Sequence, residues 1–453
     1  MKVPARNAIG VLLLMISCST SQAQWRHTFA DPLKAGGTTG CIGMGVDANG
    51  NVDALFTVAT TSATNPFTFV IAQYSQSGAR IWERTGPAGC LAGSLLVRPA
   101  GDIYISAQLE SPFSAMLFHL ASNGAYLFAR TYSGVPFNAF PVTSSRGLAS
   151  DSSGNVSIAM AGLRIVFLPS ATDQPIAVVL KVNQNGFPLW ANSYVGTAGA
   201  ALTGIATDAV GDVIFEGTRL SSNPTELTGM FATGNGQLLW ARQFQDPGNL
   251  GAAGLGIASD PLSGAIFTAG SAQISSSNAG VVLQKLDVAG QVLWRRVLSN
   301  GDFANAVYPH IAIDANDNVF IGGSQNGEPG VAQFDANGDF RWLRKYAMPA
   351  GFGPPSVFGS AVSNLAVTKS GNSIIDGAMF STANGGTGYY FVLKYSPTGA
   401  RLNADFVKAP VGFTFDQSSA GLASDLSGHI DWITDQLKEQ DSSGEVGVLG
   451  QFP

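Results

Sequence analysis

Across 453 residues the chain carries 24 Lys and Arg against 30 Asp and Glu, with 55 Gly, 22 Pro and 3 Cys, 45% hydrophobic residues and only 12% charged ones. That much apolar material with so few charges excludes a disordered chain and supplies a large core. A net charge of −6 without any run of Lys or Arg excludes the electrostatic footprint of a nucleic-acid binder.

The first element is an export leader. Lys2 and Arg6 precede an apolar stretch from Ala8 to Ile16, too short to span a bilayer, and a polar region ends at Ser21-Gln22-Ala23. Two processing routes are open. Cleavage before Gln24 removes residues 1–23, whereas Met15-Ile16-Ser17-Cys18 resembles a lipobox that would leave an acylated Cys18. The expected address is the periplasm or the exterior, with a lipid anchor at Cys18 in the second case and no membrane span elsewhere. Residues 24–453 are then expected to form one domain. Cys41 and Cys90 remain as an even pair in an exported chain, which leaves open a disulfide between neighbouring repeats or two small buried thiols.

Beyond the leader, two motifs alternate. The first is an apolar strand, a D-x-x-G-N turn and a second strand, as in Asp47-Ala-Asn-Gly50-Asn51, Asp151-Ser-Ser-Gly154-Asn155, Asp208-Ala-Val-Gly211-Asp212, Asp314-Ala-Asn-Asp317-Asn318 and Asp425-Leu-Ser-Gly428-His429. Looser copies begin at Arg98, Asp260 and Thr368, so the spacing runs from 51 to 57 residues. The second motif places Trp four residues after a turn Gly: Gly78 and Trp82, Gly186 and Trp190, Gly236 and Trp240, Gly290 and Trp294, Gly338 and Trp342. Phe128 and Asn403 fill two further slots, and Trp25-Arg-His27-Thr-Phe29 matches Trp240-Ala-Arg242-Gln-Phe244.

Short alternating runs with turn signals between them, and no period of 3.6, predict an all-β protein. Eight repeats of four strands predict an eight-bladed β-propeller of four-stranded antiparallel blades, its ring closed by the N-terminal strand at Trp25, which completes the last blade. Asp bonds the backbone two residues on and Gly accepts φ > 0, so the first motif makes a tight hairpin turn. Trp offers a rigid apolar plate for packing between blades.

The half-repeat Ile311-Ala-Ile-Asp314-Ala-Asn-Asp-Asn318-Val-Phe-Ile-Gly-Gly-Ser324 resembles the secreted bacterial β-propeller repeat called SBBP. The half-repeat Phe334-Asp-Ala-Asn-Gly338-Asp-Phe-Arg-Trp342 is similar to the Trp-docking repeat of pyrroloquinoline-quinone propellers and of the eight-bladed outer-membrane assembly lipoprotein. The resemblance implies a scaffold fold with function grafted on its loops. Quinoproteins of this type carry an adjacent Cys-Cys pair that this sequence lacks, so no cofactor is expected.

The turns between first and second and between third and fourth strands are short, whereas the connections on the other face are long and unlike one another. Recognition is usually built on such loops. Phe137, Phe140, Phe303, Tyr308, Phe352, Phe358, Phe413 and Phe415 fall there and would form a stacking rim if exposed together, or plug the core end if folded inward. His310 stands four residues before Asp314, where five other repeats have Gly43, Gly147, Gly204, Gly256 and Gly421. Arg84, Arg130, Arg242, Arg296 and Arg344 lie two residues after the Trp slot, placed to stack on aromatics, pair with repeat acids or ring an anion. Asp47, Asp314 and Asp335 open calcium-like loops that lack the later Gly and Glu, so no metal is expected.

No G-x-S-x-G, H-E-x-x-H, G-K-[ST] or C-x-x-C occurs, and no catalytic residue is assigned. The expected function is a binding or scaffold module for a protein, peptide or glycan. The competing reading is an enzyme, quinone-dependent or a lyase or hydrolase, that gathers His310, Asp302 and Asp416 at one mouth of the channel.

Overall fold

A computed structural model describes residues 25–30, 39–60, 62, 67–110, 113–132, 139–141, 147–167, 171–196, 199–245, 251–260, 263–275, 278–298, 310–325, 328–346, 358–368, 370–381, 387–408, 421–424, 430–435 and 445–452. Strand β1 (Trp25–Ala30) is followed by the sheet β2 (Thr39–Val46), β3 (Val52–Ala59), β4 (Phe67–Tyr74) and β5 (Arg80–Thr85). Next comes β6 (Cys90–Val97), β7 (Ile103–Glu110), β8 (Phe113–Leu120) and β9 (Tyr126–Tyr132). The following sheet holds β10 (Ala139–Pro141), β11 (Leu148–Ser150), β12 (Val156–Phe167), β13 (Ala171–Val182) and β14 (Pro188–Tyr194).

Four further sheets repeat the plan. They are β15 (Ala200–Thr207), β16 (Val213–Arg219), β17 (Thr225–Phe231) and β18 (Leu238–Phe244), then β19 (Gly251–Ser259), β20 (Ile266–Ser275), β21 (Asn278–Leu286) and β22 (Val292–Leu298). After them come β23 (His310–Ile313), β24 (Val319–Gln325), β25 (Glu328–Phe334) and β26 (Phe340–Lys345), and β27 (Phe358–Val367), β28 (Ser373–Ser381), β29 (Thr387–Tyr395) and β30 (Arg401–Lys408). The last, β31 (Gly421–Ser424), β32 (Ile430–Asp435) and β33 (Glu445–Phe452), takes β1 as its fourth strand. Inner strands touch in succession, β2 to β6, β11, β15, β19, β23, β27 and β31, and β31 returns to β2. The architecture is a β-propeller.

The expectation of eight four-stranded blades is corrected by the pairing. Among the described residues the four-stranded antiparallel sheets number seven, and Ala139 to Tyr194 make a five-stranded one in which β10 and β11 both pair with β12. Closure also departs from the repeat. In β1 the register shift falls between Phe29 and Ala30, whereas the outer strands of the other sheets slip beside the Trp slot, as at Gln73/Tyr74 and Met230/Phe231.

The turn and Trp motifs act as local machinery. Asp47 Oδ1 accepts from the amides of Asn49 and Asn51 at 2.8 Å, and Oδ2 accepts from Asn51 Nδ2 at 2.9 Å. Asp314 does the same, and Asp335 adds Arg341 at 2.7 Å, so these carboxylates are spent on their turns. Trp240 Nε1 donates to Val288 O of the next sheet at 2.9 Å while Gly290, at φ 73°, lies against the ring. A Cβ on Gly290 would sit 2.7 Å from that ring, so the docking needs Gly twice over. Trp82, Trp190, Trp294 and Trp342 dock likewise on Ser122, Thr233, Ala336 and Pro397 carbonyls. Arg84, Arg130, Arg296 and Arg344 donate to turn carbonyls of the following sheet, which accounts for their spacing from the Trp slot. Hydrophobic clusters fill the seams between sheets, so the core is distributed around the ring.

Candidate functional site

Most of the proposed rim lies outside the described residues: Phe137, Phe303, Tyr308, Phe352, Phe413 and Phe415, along with Asp302, Asp416 and Cys18. Phe140 stands in β10 opposite Ala161, and Phe358 opens β27 opposite Ser381, with their side chains outside that set. His310 is half-buried at the start of β23, opposite Gly322. Cys41 stands opposite Phe56 across β2 and β3 with its side chain outside the described set, while Cys90 is a free, buried thiol 3.6 Å from Met116 Sδ.

Chemistry that the sequence reading passed over is concentrated in the seam between β15–β18 and β19–β22. Counting eight residues from the first residue of each turn motif reaches Leu55, Ser106 and Ala159 in three repeats, and Glu216 and Asp376 in two others. Glu216 is fully buried, and two residues into the partner strand the register brings a second buried acid, Glu226. Thr228 donates to Glu216 Oε2 at 2.6 Å. Glu226 Oε1 accepts from Thr268 Oγ1 at 2.7 Å and from Gln284 Nε2 at 2.9 Å, while Arg295 reaches its Oε2 at 3.2 Å.

Burial pushes both carboxyls up, Glu216 further because the Glu226 charge adds to it. Arg295, Thr268 and the hydrogen bond from Glu216 partly offset burial at Glu226. Glu216 is therefore the neutral, donating member and Glu226 the carboxylate. A signal existed in the sequence: Ile214-Phe-Glu216-Gly and Thr225-Glu226-Leu put acids inside apolar strands of a chain with few charges.

Two other buried acids, Asp376 and Asp53, are held by amides. Burial lifts Asp376 to about 8; Asn364 Nδ2 donates to its Oδ1 at 3.0 Å and its Oδ2 is unpartnered. Asp53 is also raised by burial and takes a 3.3 Å bond from Gln73, which in turn accepts from Trp82. An open groove of about 540 Å³ lies among Lys285, Leu293, Trp294, Arg296, Ala336 and Asn337. Its cations are engaged, Lys285 with Asp317 at 2.9 Å and Arg296 with Gly338 O at 2.9 Å.

The face of the long connections is uneven. From the repeat position Ser106, the β7–β8 hairpin runs four more residue pairs, to Glu110 and Phe113. From Ala159, the β12–β13 hairpin runs eight, to Phe167 and Ala171. At about 3.3 Å per residue the extra four pairs project it roughly 13 Å farther. Strand β10 covers β12 only from Met160 to Gly162, and β14 covers β13 only from Ala177 on. Among the described residues, the pairs from Leu163 and Pro175 outward form a two-stranded ribbon.

No family model matches the chain, so the resemblance to SBBP and quinone-propeller repeats is not upheld, and no curated protein matches it either. Among solved structures it is similar to a prolyl endopeptidase at 10% identity and a TM-score of 0.47, covering 89% of this chain and 55% of that one. It is similar to the S511A mutant of puromycin hydrolase at 13% identity and a TM-score of 0.46, covering 92% and 62%. A Synechocystis apocarotenoid oxygenase mutant matches at 9% identity and a TM-score of 0.39, covering 85% and 95%. The chain thus spans a little over half the length of the first two, and none of these likenesses bears on what it binds.

Proposed function

We propose that this propeller is an exported recognition scaffold that holds a protein, peptide or glycan of the cell envelope or exterior on its long-connection face. The β12–β13 ribbon is the element that reaches the ligand. The observation behind the reading is the contrast between the faces. One is closed by short Asp turns and Trp docking, and the other carries a hairpin twice as long, past the repeat position, as its neighbour. Variable elements on a latched ring are suited to binding, because the ring supplies rigidity and the ribbon supplies open strand edges.

Export by the leader, with cleavage before Gln24 or acylation at Cys18, belongs to the same reading. Mass spectrometry of the mature N-terminus distinguishes the two. The recognition claim is tested by capture from an envelope extract, using the intact chain and a variant in which residues 163–175 are replaced by Asn-Gly. Loss of the captured ligand at an unchanged thermal midpoint is expected. Equal recovery by the two proteins would remove the ribbon from recognition.

A further inference from the structure

Thr268 of β20 stands opposite Gln284 of β21, which stands opposite Arg295 of β22, so three polar side chains form one row across the sheet. Thr268 and Gln284 are fully buried, and the Arg295 side chain keeps 16% of its surface exposed. Gln284 Nε2 lies 3.0 Å from Thr268 Oγ1. Glu226 Oε1 is within hydrogen-bond reach of both, at 2.7 Å from the hydroxyl and 2.9 Å from the amide nitrogen. One Arg295 guanidinium nitrogen donates to Gln284 Oε1 at 2.6 Å.

We propose that Thr268 and Gln284 become joined by an ester bond formed within the folded chain. Each group has a place in that reaction. Thr268 Oγ1 attacks Gln284 Cδ and gives its proton to Glu226 Oε1, which acts as general base. The carbonyl electron pair moves onto Gln284 Oε1, where the Arg295 cation stabilises the oxyanion. Collapse breaks the Cδ–Nε2 bond, and the departing nitrogen takes the proton back from Glu226. One hydroxyl and one carboxamide become one ester and one ammonia, with no change of oxidation state and Glu226 regenerated. Strand register holds the reactants together, which replaces a bimolecular encounter.

Two features argue for more than a hydrogen-bonded network. Burying a charged pair beside a second buried acid costs stability that apolar residues would avoid. The dry seam would also shield an ester from hydrolysis. Burial raises Glu226 above the ordinary carboxylate range, which makes it a stronger base.

Cleavage ahead of aspartates releases the fragment Asp260–Leu286, which contains both residues and no other Asp. Its mass in the wild-type protein should fall short of its sequence by one ammonia, and hydroxylamine should open it to free Thr268 and a hydroxamate at position 284. In Glu226→Gln the same fragment, whose sequence is untouched, should have its full mass. A full-mass fragment from folded wild-type protein overturns the proposal whether or not the variant folds. The same deficit in Glu226→Gln would remove Glu226 as the base.

Discussion

Two seams of the ring share one backbone plan and hold opposite chemistries. Between β2–β5 and β6–β9 the contact is mostly apolar, with Leu55, Phe69, Ile71, Ile103, Ile105 and Phe118 packed together beneath Trp82 and the Asp53–Gln73 pair beside the ring. Between β15–β18 and β19–β22 the Trp240 end is apolar in the same way, with Ile214, Met230, Ile257, Ile266 and Leu286. Beyond it stand Glu216, Glu226, Thr228, Thr268 and Gln284, all buried. Leu55 and Glu216 occupy the same place in the repeat. Docking of Trp on the next turn therefore sets the geometry of a seam, and the residues beyond it are free to be oil or acid.

The comparison is broken most severely by moving the acid. Leu55→Glu places a carboxyl among Phe69, Ile71, Ile105 and Phe118 and should cost about 4–5 kcal/mol in urea unfolding. Glu216→Gln, which keeps a neutral donor beside Glu226, should cost under about 1 kcal/mol. Next in size is the latch itself. Trp82→Ala and Trp240→Ala should each lose about 3–4 kcal/mol, by similar amounts in both seams, because each ring docks on one carbonyl and one Gly. A much smaller loss at Trp240 would mean that the polar row holds its seam without the latch.

A pH dependence is expected from the buried acids Asp376 and Asp53, both raised by burial. Asp376 binds its proton more tightly folded than unfolded, because burial has raised it from 3.8 to about 8. Its contribution is therefore whole below about pH 4 and is lost progressively as the pH rises to 8. Thermal midpoints between pH 4 and 9 should fall along this course in the wild type, and Asp376→Asn should flatten that part of the fall.

Much of the ring could be read from the spacing of Asp turns and Trp slots, since those residues do locally what their chemistry dictates. Asp47 closes its own turn and Trp240 meets its own Gly290, four residues ahead of the next Trp. The fifth strand of the β10–β14 sheet could not be read. Ala139–Pro141 is three residues long and pairs with Met160–Gly162, just past the stretch of β12 that β11 covers. The polar seam was hidden for another reason. Thr268, Gln284 and Arg295 are spread over three strands, and only cross-strand register brings them to Glu226 on a fourth. His310 was noticed because it replaces Gly, and the register sets it opposite another Gly, Gly322.

Hydrogen exchange of the intact protein with and without its captured ligand tests the recognition face most directly. The account predicts new protection confined to Leu163–Phe167 and Ala171–Pro175 and to neighbouring long connections, with the Asp turns and Trp-docking carbonyls unchanged. Protection appearing instead at the turns around Gly124, Gly236 and Gly290, with the ribbon unaffected, would contradict it.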